Sequence, residues 1–283
     1  MRPRLYESPV SIFGKKFLVI IITRASCNMQ RLPMGSAWME AAGDVTRAQA
    51  YRAAAQEIRQ RLDAHFDPDE GVYVCRFANA ADRPSAAPAR RLDMAVPLGV
   101  IHAARAEGPH SVLDPKALAT LARLEEFFEK KYPINQERAS DCAPAMGRYA
   151  HDSYCSGGAY YFSTFGAAQF YFRFAEAIGR GAMIPVSAGN RTLLADMLGE
   201  PRAALAAASV EPPFRERLFK AFLARGDMFM AMVRAHTPAS GELSEQFDQT
   251  TGAQTSAKNL AWSYAAFVAA FASRRAARRL MAC

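Results

Sequence analysis

Apolar residues recur at three- and four-residue spacing through most of this chain, the period of an α-helix with one buried face. Ala48, Tyr51, Ala55, Ile58 and Leu62 keep that rhythm after Asp44, whose carboxylate suits a helix N-cap, and the spacing predicts a helix to about His65. Pro68-Asp69-Glu70-Gly71 then breaks the pattern, and Val72-Tyr73-Val74-Cys75 reads as a short strand. Leu92 to Arg105 is apolar almost all round apart from Asp93 and His102. It predicts a helix buried on most sides, with Pro97 at a bend or in the first turn. Asp114-Pro115 supplies a cap and a first-turn proline for a helix whose stripe is Leu118, Leu121, Leu124 and Phe128 and whose opposite face is charged.

Further on, long helices alternate with long polar loops. Tyr132 to Gly158, rich in Gly, Ser, Asp, Asn and Pro, predicts one continuous loop, longer than compact domains hold without a functional reason. An aromatic helix follows over Tyr161 to Ile178, then a helix over Phe214 to Arg234, a second long loop over Thr237 to Lys258 and a last apolar helix over Asn259 to Ala272. Helices apolar nearly all round, interleaved with amphipathic ones, are what a ring of inner and outer helices requires. No fixed-period self-similarity of the helical-repeat kind accompanies them.

Composition narrows the picture. With 283 residues, 51% of them hydrophobic, the chain is long enough for a sizeable core in one domain, and helical periodicity dominates from about residue 36 onward. Residues 1–34 form an atypical N-terminal segment and residues 276–283 a basic tail. Phe17 to Ile22, behind Lys15-Lys16, is far shorter than the roughly 20 residues a membrane span needs, and it reads as a buried strand or a misassigned or truncated N-terminus rather than a signal sequence. Lys and Arg outnumber Asp and Glu by 35 to 27, but four of those cations are clustered at Arg274, Arg275, Arg278 and Arg279, so the excess reads as a solvated tail rather than a nucleic-acid face. The five cysteines contain no Cys-x-x-Cys pair, and no Gly-rich phosphate loop is present, so neither metal nor cofactor is expected.

The candidate chemistry lies in the two loops. The second holds Glu242-Leu243-Ser244-Glu245-Gln246-Phe247-Asp248, then Thr251-Gly252, Gln254, Ser256 and Ala257, and feeds Leu260-Ala261-Trp262-Ser263-Tyr264. The first holds Gly147-Arg148-Tyr149-Ala150-His151-Asp152-Ser153-Tyr154 and Ser156-Gly157-Gly158-Ala159-Tyr160-Tyr161. A carboxylate and a guanidinium can bond vicinal sugar hydroxyls in fixed geometry while an aromatic face packs on the C–H side of the ring.

Both stretches resemble segments of the glucoamylases, glycoside hydrolase family 15. There a Ser-Glu-Gln-Tyr/Phe-Asp loop precedes a Leu-x-Trp-Ser-Tyr helix, and a Gly-Arg-Tyr-Pro-Glu-Asp-x-Tyr segment precedes Asn-Gly-Asn-Pro-Trp. Weaker matches, Leu92-Asp93, Val100-Ile101-His102 and Tyr132-Pro133-Ile134-Asn135 among them, extend the resemblance over about residues 35–275. It implies an all-α fold, part of an (α/α)6 toroid corresponding to the C-terminal half of the ring. It also implies inverting hydrolysis of α-1,4-glucans from the non-reducing end, with Glu245 as general base and Arg148, Asp152 and Tyr160 as substrate contacts. The alternative is a sugar-binding or inactive remnant.

Ala150-His151 stands where the family has Pro-Glu, and Ala159-Tyr160 where it has Pro-Trp. The family's general acid lies in an Asp-Leu-Trp-Glu-Glu segment whose nearest match is Leu5-Tyr6-Glu7, which makes Glu7 the candidate acid. The expected partner is an α-glucan or maltooligosaccharide, with self-association through apolar helix faces that half a ring would expose. The resemblance is compatible with a secreted or periplasmic setting.

Overall fold

The structure, a computed structural model, describes residue 28 and residues 31–75 and 92–281. Glu7 and the apolar run Phe17 to Ile22 lie outside the described residues. Helix α1 covers residues 31–41. Helix α2, Val45–Asp63, starts where the sequence places it, with the Asp44 side chain accepting from the Arg47 amide at 3.0 Å. Strands β1, Phe66–Asp67, and β2, Val72–Tyr73, make an antiparallel hairpin around the Pro-Asp-Glu-Gly turn.

Helix α3, Ala95–Ala103, carries Pro97 inside its first turn, where a missing amide hydrogen costs nothing. Asp114 caps helix α4, Pro115–Lys131, accepting from the Lys116 amide at 2.9 Å. The expected loop from Tyr132 is interrupted by a short helix α5, Pro133–Gln136, and a 3₁₀ turn over Tyr154–Gly157. Helix α6, Tyr161–Gly179, is followed by α7, Ala188–Leu198, which the apolar pattern does not announce: only Leu194, Ala195 and Leu198 of its apolar residues with large or small side chains are buried, alongside Asn190. A Ser187–Asn190 capping box starts α7 and Gly199, left-handed at φ 65°, ends it. Helices α8, Pro212–Ala235, and α9, Ala261–Leu280, complete the set.

Helix α9 runs past Ala272, where the apolar pattern stops, because alanine and arginine sustain a helix and its arginines reach across to α8. Arg274 and Arg278 bond the Asp227 carboxylate of α8 at 2.5 and 2.9 Å.

The core centres on α6, whose Tyr161, Phe162, Phe170, Tyr171, Phe172 and Phe174 are all buried. It packs against α3, α8 and α9, while α4 backs α3 and packs on α7. Inner helices are thus buried on several sides and outer ones on one, the two-layer arrangement that the alternating patterns require. Close approach is specific: a Cβ on Gly226 of α8 would stand 2.4 Å from the Phe172 ring. Across the layers, the buried Glu125 carboxylate of α4 accepts from Tyr171 at 2.5 Å and from Arg225 of α8 at 2.5 Å, tying three helices together.

Among the described residues no helix is long and apolar enough to cross a membrane, and no cluster of His, Cys, Asp or Glu could hold a metal ion. The two candidate loops are joined by a three-stranded antiparallel sheet: β3, Ala159–Tyr160, pairs with β4, Gln246–Phe247, which pairs with β5, Gln254–Thr255. Gly158 permits that pairing, since a Cβ there would lie 2.6 Å from the Phe247 carbonyl oxygen.

Candidate active site

Glu245 sits immediately before β4 and is pinned through its backbone on both sides. Its amide donates to the Ala257 carbonyl at 2.7 Å, and its carbonyl accepts from the Tyr161 amide at 3.3 Å, at the start of α6. The residue is 8% exposed, so its carboxylate meets little water. One oxygen, Oε2, accepts from the Ser256 hydroxyl at 2.6 Å. Ser256 holds φ at 64°, a left-handed conformation that costs a non-glycine residue about 1 kcal/mol or more and that aims its side chain back across the loop. The preceding Ser244 carbonyl accepts from Ser263 at 2.7 Å, which fixes the loop to the first turn of α9.

The first loop builds a second cluster. Its backbone is anchored to the approach of α3, where the Met94 amide donates to the Arg148 carbonyl at 2.7 Å and Asp93 bridges Tyr149. Arg148 donates to Asp152 in bidentate fashion, Nε to Oδ2 at 2.6 Å and Nη2 to Oδ1 at 2.8 Å. Asp152 also accepts from the Tyr160 hydroxyl at 3.2 Å and from the Tyr154 amide at 3.1 Å. The Arg148 guanidinium lies 4.6 Å from the Tyr160 ring centre and 5.4 Å from that of Tyr154.

Electrostatics follow from this packing. Burial by itself raises the Asp152 pKa, but the hydrogen bond and charge of Arg148, with the Tyr154 amide and Tyr160 hydroxyl, outweigh it and hold the carboxyl below the usual range. For Tyr160, burial first, and the charges of Asp152 and Glu245 after it, push the phenol well above its ordinary value against the opposing pull of Arg148. Tyr160 is therefore a neutral donor at any working pH.

The structure brings Arg148, Asp152 and Tyr160 into one cluster, and the sheet register sets Tyr160 opposite Gln246, the neighbour of Glu245. The Asp152 side chain is only 1% exposed and that of Arg148 12%, so Asp152 stands behind Arg148. Tyr160 is fully buried, whereas Tyr154 is 43% exposed and offers the outward aromatic surface. Two contributors escape a reading of the sequence by type. Ser256 is eleven residues from Glu245, and Tyr154 places its hydroxyl 3.5 Å from Ser256 Oγ while its ring faces Arg148, so it links the two clusters. Both stand inside the two motif stretches, Tyr154 at the closing tyrosine of the first and Ser256 in the Gly-containing run of the second, but nothing in their types marks them as partners of Arg148 and Glu245.

Residues 28–272 match the sequence profile of the glycosyl hydrolases family 15. The chain belongs to this family. Its family 15 relatives include Glucoamylase 1 of Rhizopus oryzae, 25% identical over 264 residues that make up 91% of this chain and 42% of the relative. A glucoamylase of Neurospora crassa is 33% identical over 141 residues, half of this chain and 22% of the relative. Among solved structures, the family 15 glucoamylase from Hypocrea jecorina superposes with a TM-score of 0.77 at 23% identity, over 90% of this chain and 42% of that one. The glucoamylase from Saccharomycopsis fibuligera gives 0.78 at 20% identity, over 92% of this chain and 56% of that one. The helices described above therefore form part of an (α/α)6 toroid, and the chain spans about half or less of the length of these family 15 proteins.

Proposed function

We propose that this chain carries the general-base part of an inverting glycoside hydrolase that releases glucose from the non-reducing ends of α-1,4-glucans. The observation that carries the reading is Glu245: a carboxylate 8% exposed, oriented by Ser256 and set one residue from the strand that pairs with Tyr160, inside a family 15 match. Inverting hydrolysis uses one ionised carboxylate to activate water on the face of the sugar opposite the leaving group, and a second, protonated carboxyl to donate to the departing oxygen. The two stand about 6.5–9.5 Å apart, which leaves room for the water. Glu245 is the ionised member in this assignment.

Arg148 is the sugar contact of the first loop. A guanidinium has five N–H donors, and Asp152 occupies those at Nε and one Nη, so others remain for a pair of vicinal hydroxyls. Asp152 and Tyr160 act on substrate through Arg148, by holding its fork in one orientation. Tyr154 lies between the two clusters and supplies a stacking face for the ring.

Glu245→Gln tests the assignment. In a domain competent to hydrolyse maltooligosaccharides it abolishes β-glucose release while circular dichroism stays unchanged. Equal rates before and after the substitution would refute a base role. The Arg148–Asp152–Tyr160 cluster is complete without Glu245, and this favours one second reading, sugar binding without turnover. Titration with maltotriose separates the two: in the second reading binding is lost in Arg148→Ala, kept in Glu245→Gln, and never accompanied by glucose.

A further inference from the structure

The turn that carries Tyr154 is strained. Within the 3₁₀ turn over Tyr154–Gly157, Cys155 (φ 46°, ψ 50°) and Ser156 (φ 65°, ψ 12°) are left-handed, and Gly157 follows at φ 71°. Left-handed backbone is unfavourable for residues with a Cβ, and two of them in succession persist only where surrounding contacts hold them. Neither cysteine nor serine is among the residues that favour it. At the third position glycine is required, since a Cβ on Gly157 would lie 2.1 Å from the Asp152 carbonyl oxygen.

The support comes from the second loop. Gln249 Nε2 donates to the Ser156 carbonyl at 2.7 Å, and Gln246 Nε2 donates to the Tyr154 carbonyl at 3.3 Å. Gln249 is itself firmly placed. Its own carbonyl accepts from the Ile134 amide at 3.1 Å, and the preceding Asp248 carboxylate accepts from the Thr250 and Thr251 amides at 2.9 and 2.7 Å. Gln246 is fixed by the sheet, paired with Tyr160 on one side and Thr255 on the other.

We propose that Gln249 is a positioning residue: by clamping the strained turn through Ser156, it sets the Tyr154 ring beside Arg148 and the Tyr154 hydroxyl beside Ser256. The proposal deepens the reading above and rests on it for the ligand, an α-linked maltooligosaccharide. Tyr154 stands 5.4 Å from the Arg148 guanidinium at its ring centre and 3.5 Å from Ser256 Oγ at its hydroxyl. Both separations depend on one turn, of which Tyr154 is the first residue. Relaxation of Cys155 and Ser156 to right-handed or extended backbone would redirect Tyr154 away from both partners. Gln246 is fully buried in the sheet, whereas Gln249 is half-buried outside it, so Gln249 is the clamp that can be removed without disturbing the strands.

Calorimetric titration with maltotriose and amide exchange, both on the full chain, test this. The Tyr154 amide donates to Asp152 Oδ1, so its exchange reports whether the turn is held. In Gln249→Ala that exchange is expected to quicken and maltotriose to bind about two- to tenfold more weakly, the range that one hydrogen bond spans. Gln249→Lys keeps a donor on a stem of similar reach and is expected to restore both. Tyr154→Ala weakens binding by itself, and Gln249→Ala added to it is expected to weaken binding no further, because the glutamine acts through that ring. Full additivity of the two substitutions overturns the proposal, as does unchanged Tyr154 exchange or unchanged affinity in Gln249→Ala, or a Gln249→Lys chain that restores neither. An unsubstituted chain that binds no maltotriose sinks the sugar reading, and the clamp is then decided by Tyr154 exchange alone: quickened in Gln249→Ala and restored in Gln249→Lys it stands, and otherwise it falls.

Discussion

At the scale of single residues, the carboxylate proposed as base is held by a hydroxyl. The Ser256 hydroxyl lies 2.6 Å from Glu245 Oε2 and is held there by a left-handed backbone. A hydrogen bond to a charged group contributes about 1.5–3 kcal/mol. In a hydrolytically competent domain Ser256→Ala is therefore expected to lower kcat about tenfold or more, since tenfold corresponds to about 1.4 kcal/mol. An unchanged kcat would show that Ser256 does not orient the base. Asp152 gives a pH signature. Its folded pKa is depressed, so its contribution to stability is complete above the ordinary aspartate range and is lost as pH falls through the lower folded value. The difference in melting temperature between the unsubstituted chain and Asp152→Asn is expected to shrink from about pH 5 downward. A difference constant down to pH 2 would contradict an ionic Arg148–Asp152 pair.

These residues differ in how far their types announced them. Glu245, Arg148, Asp152 and Tyr160 stand in ordered motifs and could be named from the chain. That Asp152 and Tyr160 stand behind Arg148 could not, because it depends on side-chain burial set by α3 and α6. Ser256 has its role only because the backbone turns left-handed at one residue.

At the scale of elements, local signals served where the chain capped itself. Asp44 and Asp114 start α2 and α4 where carboxylates precede helical stripes. Helix α7 and the end of α9 are not legible in the apolar spacing, because their burial is narrow and their support comes from distant partners, such as Asp227 for Arg274. The three-stranded sheet is illegible for a stronger reason. Its strands are two residues each, too short for any period, and β3 pairs with β4 across the whole of α6, α7 and α8. Gly158 is its weak point. Gly158→Ala would press a methyl group to 2.6 Å from the Phe247 carbonyl and force the strands apart. A loss of about 1–3 kcal/mol is expected, with faster amide exchange at Gln246 and Phe247. Unaltered exchange there would mean that the pairing tolerates the side chain.

At the scale of the whole molecule, one buried polar knot joins the layers. Glu125 of α4 accepts from Tyr171 of α6 and Arg225 of α8, all in or near the core. Removing one partner of such a pair leaves a charge uncompensated, at a cost of about 3–5 kcal/mol. Arg225→Met should lower the midpoint of urea denaturation accordingly. Replacing Glu125 by Leu in the same chain should recover part of the loss, because an apolar replacement of both charges removes the unpaired one. A fall of less than about 1 kcal/mol in Arg225→Met would show that Glu125 finds water or another donor.

The sequence by itself determined the helical class, most helix starts and the alternation of amphipathic with nearly all-apolar helices, because each is written in spacing over a few adjacent residues, and its motifs supplied the candidate carboxylate Glu245. Only the tertiary structure decided that the two loops form one sheet, that Asp152 accepts from both Arg148 and Tyr160, and that Ser256 donates to Glu245. The sheet turns on strands brought together across three helices, and the side-chain contacts turn on the course of an irregular loop backbone, so geometry and burial rather than local preference select the partner.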